Sequence, residues 1–472
     1  MNSAIKNATT SSMPPSRQFI RCARLFTGLE DEARSDQMLV IEQGRFAYVG
    51  PASQAPAASH SDTVIDAGSH FVMPGLIDVH THLVFGNARS EEDVDFWATP
   101  EFRALRGMFF AQHVLAAGYT SIVVPGDAGS CSIAVRDAIN AGLFDGPRIA
   151  ASSNVIANRY SLNDWFPEHV GTPDYMTGRL CTTRDAQLAE VRRQAKAGVD
   201  IIKIALDGTH LREDGTHIAA FAQDEVSAMV GEAHRLGKKV ATHAYGKEAV
   251  LQAARAGVDV VFHAFFADDE CAQALLNSGT SVAPTLTFLR NNIEFSQAHE
   301  PSIGSGYVAM QQRVVEIGCR NLRRLYQAGV PFMTGSDAGF AVTPYGEWHA
   351  REIGILVEWL GLTPAQALRA ATSVGARLMP RGRQGTLEAA QVGAIEVGRR
   401  ADFLFINGDP LANVNVLLRP EAIAAVHLAG RPMPLARRPY DRYKVTDLSS
   451  LKWTDLYTRD RVAALRKSAL LA

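Results

Sequence analysis

Between residues 73 and 393, short apolar runs alternate with segments whose apolar positions recur at helical spacing. The runs fall at 76–80, 118–124, 148–153, 199–206, 238–244, 258–265, 280–286 and 330–336, most of them behind a Gly or Asp turn. Helical text separates them at 183–197, 224–236, 247–256, 269–278 and 314–328. Near-continuous apolar strands are buried on both faces, so this alternation predicts an α/β fold with a parallel sheet covered by helices. Eight repeats favour closure into a (β/α)8 TIM barrel over an open doubly wound sheet. No GxGxxG follows the first run, which weakens the dinucleotide-binding version of the open sheet.

The ends of the chain read differently. Met38-Leu39-Val40-Ile41 and Arg45-Phe46-Ala47-Tyr48-Val49-Gly50 predict a hairpin around Gly44. Ala401-Asp402-Phe403-Leu404-Phe405-Ile406, the Gly408-Asp409-Pro410 break and Val426-His427-Leu428-Ala429-Gly430 repeat that texture. Residues 18–72 plus 394–438 are therefore expected to build one small β-sandwich domain from both ends, beside a metal-binding barrel at 73–393. Residues 1–17, rich in Ser, Thr, Asn and Pro, read as a disordered leader. Residues 439–472, rich in Arg, Lys and Leu, read as a helical tail that packs on the body or on a second subunit.

With 472 residues, 47% of them hydrophobic, the chain can bury a large core without staples. Lys+Arg 47 against Asp+Glu 49 leaves a net charge of −2, which argues against a nucleic-acid or membrane-surface partner. Cys22, Cys131, Cys181, Cys271 and Cys319 are odd in number and form no CxxC, as expected of buried thiols in a reducing compartment. The leader lacks the apolar stretch of a secretory signal, and no apolar run reaches the ~18 residues that span a bilayer. These features predict a soluble, cytoplasmic protein with a small-molecule substrate. A helix-covered exterior leaves a homo-oligomer open.

Candidate chemistry sits where a barrel keeps it, at the C-terminal ends of the strands. The first run ends Pro74-Gly75-Leu76-Ile77-Asp78-Val79-His80-Thr81-His82, and histidines at i and i+2 of an extended chain face one side, within reach of a single cation. The fourth run carries Lys203 inside apolar text, the fifth ends in His243, the sixth in His263 and the eighth in Asp337. Each has a plainer reading: an exposed HxH, a snorkelling lysine, hydrogen-bonded core histidines, an Asp capping a helix. A lysine inside an apolar strand is the hardest to dismiss, because desolvating an ammonium costs several kcal/mol. All five sites in this order, each at a strand end, point together to a metal centre.

The order HxH, Lys, His, His, Asp over eight βα units resembles the metal-dependent amidohydrolase superfamily. Leu362-Thr363-Pro364-Ala365-Gln366-Ala367-Leu368, Gly335-Ser336-Asp337-Ala338 and the stretch from Gly393-Ala394-Ile395 to Gly408-Asp409-Pro410-Leu411 fit the same resemblance, which covers about residues 20–435. Within it the chain is similar to the branch of imidazolonepropionase-related Xaa-Pro and Xaa-Arg dipeptidases, near the phenylurea- and carbamate-type hydrolases. The resemblance implies two divalent cations, with zinc fitting best. One would be held by His80, His82 and Asp337, the other by His243 and His263. A CO₂-derived carbamate on Lys203 would bridge them. It further implies hydrolysis of a C–N bond by a metal-bridged hydroxide, with Asp337 as the general base.

Substrate choice falls to the loops. Tyr160, Trp165, Phe166, His169 and Tyr175 crowd the loop 158–182 and predict an aromatic lid, with Trp165 a substrate contact. Tyr245, two residues past His243, is placed to hydrogen-bond a substrate carbonyl or carboxylate. His210 and His217 follow the fourth strand; His210 is a candidate substrate contact, the plainer reading being an exposed loop histidine. His349 is expected to cap the following helix. The strand-six text Phe262-His263-Ala264 departs from the Glu-His-Gly usual in the dipeptidases, and no arginine or lysine in these loops is an obvious carboxylate clamp, Arg159 and Arg212 being the candidates left open. An apolar mouth therefore favours a neutral amide, urea or carbamate over a Xaa-Pro or Xaa-Arg dipeptide.

Overall fold

The structure, a computed structural model, describes residues 17–208, 210–299, 305–380, 391–436 and 456–469. The expected disordered leader lies outside these residues but for Arg17, as do 439–455 and 470–472 of the expected tail.

Strands from both ends of the chain form one eight-stranded sheet. Its order runs Arg431–Pro432, Ile423–Leu428, Phe403–Ile406, Phe71–Pro74, Gln18–Leu25, Arg34–Glu42, Arg45–Pro51, and Thr63–Asp66 pairs with Gln18–Leu25 off this path. The two ends meet where Phe71–Pro74 lies antiparallel to Phe403–Ile406. Alternating apolar positions, among them Ile20, Cys22, Leu39, Val72 and Phe403, give this sheet its own core.

Gly75 carries the chain from that sheet into the first parallel strand, its N–H donating to Asp402 O at 3.1 Å. A Cβ at this position would stand 2.0 Å from Oγ1 of the buried Thr120. Only glycine leaves room for the Thr120 side chain against this backbone. Gly75→Ala is expected to cost about 1–3 kcal/mol by overpacking. A urea midpoint equal to that of the wild type would contradict this.

Leu76–Asp78, Tyr119–Val124 and Arg148–Ala151 form a three-stranded parallel sheet. Ile201–Ala205, Lys239–Ala244, Val260–His263 and Ser281–Ala283 run parallel within a six-stranded one. Asp200 N donates to Ala151 O at 2.7 Å, linking the two sheets. On the other side, Val282 bridges Phe332, and Val79 N donates to Thr334 O at 2.9 Å. One apolar cluster draws Val79, Val123, Ala150, Ile201, Ala241, Val260, Ala283 and Met333 from these eight stretches. A larger one lies between strands and helices.

Local chemistry delimits the helices. Thr183 accepts from Ala186 N to start Arg184–Ala197, and Asp268 accepts from Cys271 N to start Asp269–Ser278. Gly198, Gly257 and Gly279, at φ 92°, 76° and 72°, end Arg184–Ala197, Lys247–Ala256 and Asp269–Ser278.

The structure departs from the sequence reading in three places. The stretch 330–336 makes isolated bridges instead of a regular strand; Pro331 has no N–H to give a ladder. Val155–Ala157 and Gly178–Leu180 pair as three-residue strands at the edges of the aromatic loop, too short to show a period. The helix expected at 314–328 spans Ser305–Gln327. Among the described residues, no helix is long and apolar enough to cross a membrane.

Candidate active site

His80 and His82 leave the first parallel strand on the same side, with their Nε2 atoms 3.0 Å apart. Asp337 closes on them from the end of the 332–337 stretch, its Oδ1 3.2 Å from His82 Nε2 and 3.6 Å from His80 Nε2. Its N–H donates to His80 O at 2.9 Å and fixes the approach. His243 and His263 come from neighbouring strands with ring centroids 4.6 Å apart, and the His263 ring is 5.5 Å from that of His80. Single ligand atoms of His80, His263 and Asp337 lie within 4.8 Å of one another. Lys203, mid-strand in Ile201–Ala205, sets Nζ 4.0 Å over the Phe262 ring, which itself stacks on His80 at 4.0 Å.

Electrostatics prepare this cluster for a cation. Burial, then the charge of Lys203, hold the His80 and His243 imidazoles well below the usual histidine range. Burial and the neighbouring His243 do the same for His263. Burial also drives the Lys203 amine well below the lysine range, against the opposing pull of Asp337. The His82 Nδ1 meets Gly126 O at 3.3 Å, and the His263 Nδ1 meets Thr285 Oγ1 at 2.5 Å. The Gly126 carbonyl only accepts, so the proton sits on His82 Nδ1 and leaves its Nε2 lone pair free for a ligand; with the Thr285 hydroxyl accepting, His263 is set the same way. Among the described residues, His80 Nδ1 and His243 Nε2 are buried and find no hydrogen-bond partner. Neutral imidazoles, a carboxylate and orphaned nitrogens make a donor set that fits a divalent cation. Three non-glycine residues around it, His263, Thr285 and Asp337, hold positive φ of 77°, 55° and 56°. Backbone strain of this kind concentrates at functional sites.

Several supporting residues escaped the sequence reading. Asp78 is buried and clamps both flanks of the cluster, accepting from His80 N at 2.9 Å and from Ser336 N at 3.1 Å. Its other oxygen accepts from Ser336 Oγ at 2.5 Å and meets His349 Nδ1 at 2.6 Å. His349 therefore does not cap the helix Arg351–Glu358, whose N-cap is Ala350. Asp207 lies 3.5 Å from His243 Nε2, accepts from Gly246 N at 2.7 Å, and is pushed up to about 7 by burial. An ionisable group in or just after an apolar strand is the signal that singles out Lys203, and it would have found Asp78 and Asp207 as well.

The three expected substrate contacts are placed differently. The Tyr245 ring sits 4.5 Å from His243 and 4.8 Å from His263, at the cluster itself. Trp165 donates Nε1 to Asp95 Oδ2 at 3.2 Å, and Asp95 also accepts from Thr177 N at 2.8 Å, so the aromatic loop is pinned to the helix Glu91–Asp95. His210 is exposed and edge-on to Tyr160 at 5.2 Å. Among the described residues no ring contact joins Trp165 or His210 to the cluster. His217 instead packs against Tyr245 at 5.6 Å and Phe266 at 5.0 Å.

The chain is 28% identical to an ochratoxinase of Aspergillus niger over 439 residues, which cover 85% of this chain and 84% of that protein. Among solved structures it is similar to a Xaa-Pro dipeptidase with methionine bound in its active site. That likeness is 27% identity and a TM-score of 0.75 over 89% of this chain and 100% of the other. To phenylurea hydrolase B, at 22% identity, it is similar in fold, with a TM-score of 0.71 over 89% of this chain and 97% of that one. These neighbours imply a TIM-barrel α/β fold, in keeping with the parallel sheets. The Amidohydrolase family description matches residues 71–433, a span that takes in every member of the cluster, and the chain accordingly belongs to that family of hydrolases acting on carbon–nitrogen bonds.

Proposed function

We propose that this protein is a metal-dependent hydrolase that cleaves the carbon–nitrogen bond of a small amide, urea or carbamate. Its body would be a (β/α)8 barrel and its companion a small β-sandwich built from both chain ends. The observation that carries the reading is the convergence of His80, His82, His263 and Asp337 beside the buried Lys203. His80, His82 and Asp337 would hold one cation and His243 with His263 a second, Lys203 standing between them as a carbamate. Zinc suits such a set of imidazoles and carboxylates best. When bound, the cations polarise the substrate carbonyl and lower the pKa of water from 15.7 toward ~7.

The chain's own groups do the rest. The neutral Lys203 amine attacks CO₂ through its lone pair and releases a proton to solvent, leaving one negative charge on the carbamate. Asp337, partly exposed, takes the proton of the attacking water and passes it to the departing nitrogen. Tyr245 donates its hydroxyl to the substrate carbonyl. Asp78 and Asp207 hold His80, Ser336 and the Tyr245 backbone in place.

Similarity to a Xaa-Pro dipeptidase favours a second reading, a Xaa-Pro or Xaa-Arg type dipeptidase using the same site. Such a substrate needs a clamp for its α-carboxylate. Arg159 is engaged by Asp164 and Glu168, and Arg212 by Glu248. That engagement supports the neutral substrate. The test is a panel on zinc-loaded protein: 4-nitroacetanilide, phenylurea and a phenylcarbamate against Ala-Pro and Ala-Arg. The neutral substrates are expected to be preferred by about tenfold or more in kcat/KM. Activity should vanish on chelation and return with zinc. Turnover confined to the dipeptides selects the second reading, and activity indifferent to chelation sinks both.

A further inference from the structure

We propose that the C-terminal segment 456–469 sets a preference for aromatic substrates by strapping down the loop 338–349, with Tyr457 and Arg459 as positioning residues. The inference rests on reading the histidine cluster as the place where substrate binds. Phe340, in this loop, sets its ring beside the cluster. Its half-buried ring stands edge-on to His82 at 6.3 Å and to Phe85 at 5.4 Å. Phe85 in turn stacks on His82 at 4.1 Å. The wall beside His82 is therefore aromatic, and Phe340 is its partly exposed part.

On one side the loop is held by the barrel, Ala341 N donating to Ala88 O at 2.9 Å. On the other it is held by the tail. Tyr457 N donates to Ala341 O at 3.0 Å, one residue from Phe340. Trp348 Nε1 donates to Tyr457 O at 2.7 Å. Arg459 pairs with Glu347 at 2.9 Å and donates to Gly346 O at 3.2 Å. The Arg459 and Glu347 side chains are only 18% and 14% exposed, so solvent screens this pair less than an open surface pair. Tyr457 is buried and stacks on Phe295 at 5.5 Å, which also meets Trp348 at 5.3 Å. Without the tail the loop keeps its bonds to Ala88 and to Asn291 but loses those at Ala341 O, Gly346, Glu347 and Trp348, so it opens locally at lower free energy and Phe340 shifts against the cluster.

The test uses the full chain loaded with zinc, with Arg459→Ala and Arg459→Lys. Benzohydroxamate and acetohydroxamate share one chelating group, so the ratio of their dissociation constants reads the phenyl contact alone. That ratio is expected to fall about tenfold in Arg459→Ala and to recover partly in Arg459→Lys. Zinc content per chain should stay constant while amide exchange across 338–349 quickens. A ratio within about twofold of wild type, unchanged exchange, or a wild type without phenyl preference overturns the proposal. A wild type that prefers the phenyl probe yet hydrolyses nothing in the panel defeats the proposed function and leaves the strap standing. Should Arg459→Ala fold poorly, Glu347→Gln removes the same ion pair from the loop side and is read identically.

Discussion

Lys203→Ala is expected to lower kcat/KM by about 10³–10⁵-fold and to reduce the zinc content from two ions per chain toward one. The side chain is 2% exposed, in a strand whose five residues are all buried. That burial disfavours its ammonium form beside three histidines, where a carbamate would supply the anion that joins two cations. Removing it would take away the proposed bridge and, among the described residues, no ion pair. The fold should therefore survive, with thermal unfolding displaced by a few degrees at most through the small cavity left under Phe262. Short carboxylic acids such as acetate or propionate, which can enter the vacated space and offer the same oxygens, should restore part of the turnover. Metal analysis and steady-state kinetics with and without added acid decide the matter. Normal turnover in Lys203→Ala would remove the carbamate from the account.

Asp337→Asn should be nearly as damaging, about 10³–10⁵-fold in kcat with KM changed much less. The substitution keeps the shape and takes away a charged oxygen, which on the proposed mechanism is both a metal ligand and the proton acceptor. Its backbone is secured independently of the carboxylate, by Asp337 N to His80 O at 2.9 Å and by Thr343 Oγ1 to Asp337 O at 3.0 Å. A loss of rate would therefore reflect chemistry and not a displaced loop. His80→Ala should also lose several orders of magnitude in turnover. Because its ring stacks on Phe262 at 4.0 Å, this variant should additionally lose about 1–3 kcal/mol of stability. Separate kcat, KM and zinc titrations distinguish a lost ligand from a lost base: a retained zinc site with kcat near wild type in Asp337→Asn would reassign the proton transfer to another group.

Much of the architecture was legible in the text because burial and periodicity are local properties. Lys247–Ala256 and Asp269–Ser278 coincide with the helices read from spacing, each ended by a glycine at positive φ. The strands that matched, such as Tyr119–Val124 and Ile201–Ala205, are buried at every position, which is what makes an unbroken apolar run. The stretch 330–336 was harder, since Pro331 and Gly335 interrupt the ladder although the chain still runs where a strand would. Val155–Ala157 and Gly178–Leu180 carry no readable period at three residues each. For the substrate contacts the text offered residue type and loop position alone. Those suffice to nominate Trp165 and His210, but say nothing of Asp95 taking the Trp165 N–H or of Tyr160 facing His210.

From the sequence alone came the ligand-type residues and the order of strands that would bear them, because a charged or polar group in an apolar strand stands out without coordinates. Only the tertiary structure decided which nitrogen of His82 and of His263 is turned to a distant partner, Gly126 for the one and Thr285 for the other. It alone also turned His349 from a helix cap into the partner of Asp78, 271 positions away in the chain. The same holds for the tail, where Tyr457 reaches Ala341 and Arg459 reaches Glu347. Contacts of that range depend on how the whole chain packs, and no local pattern encodes them.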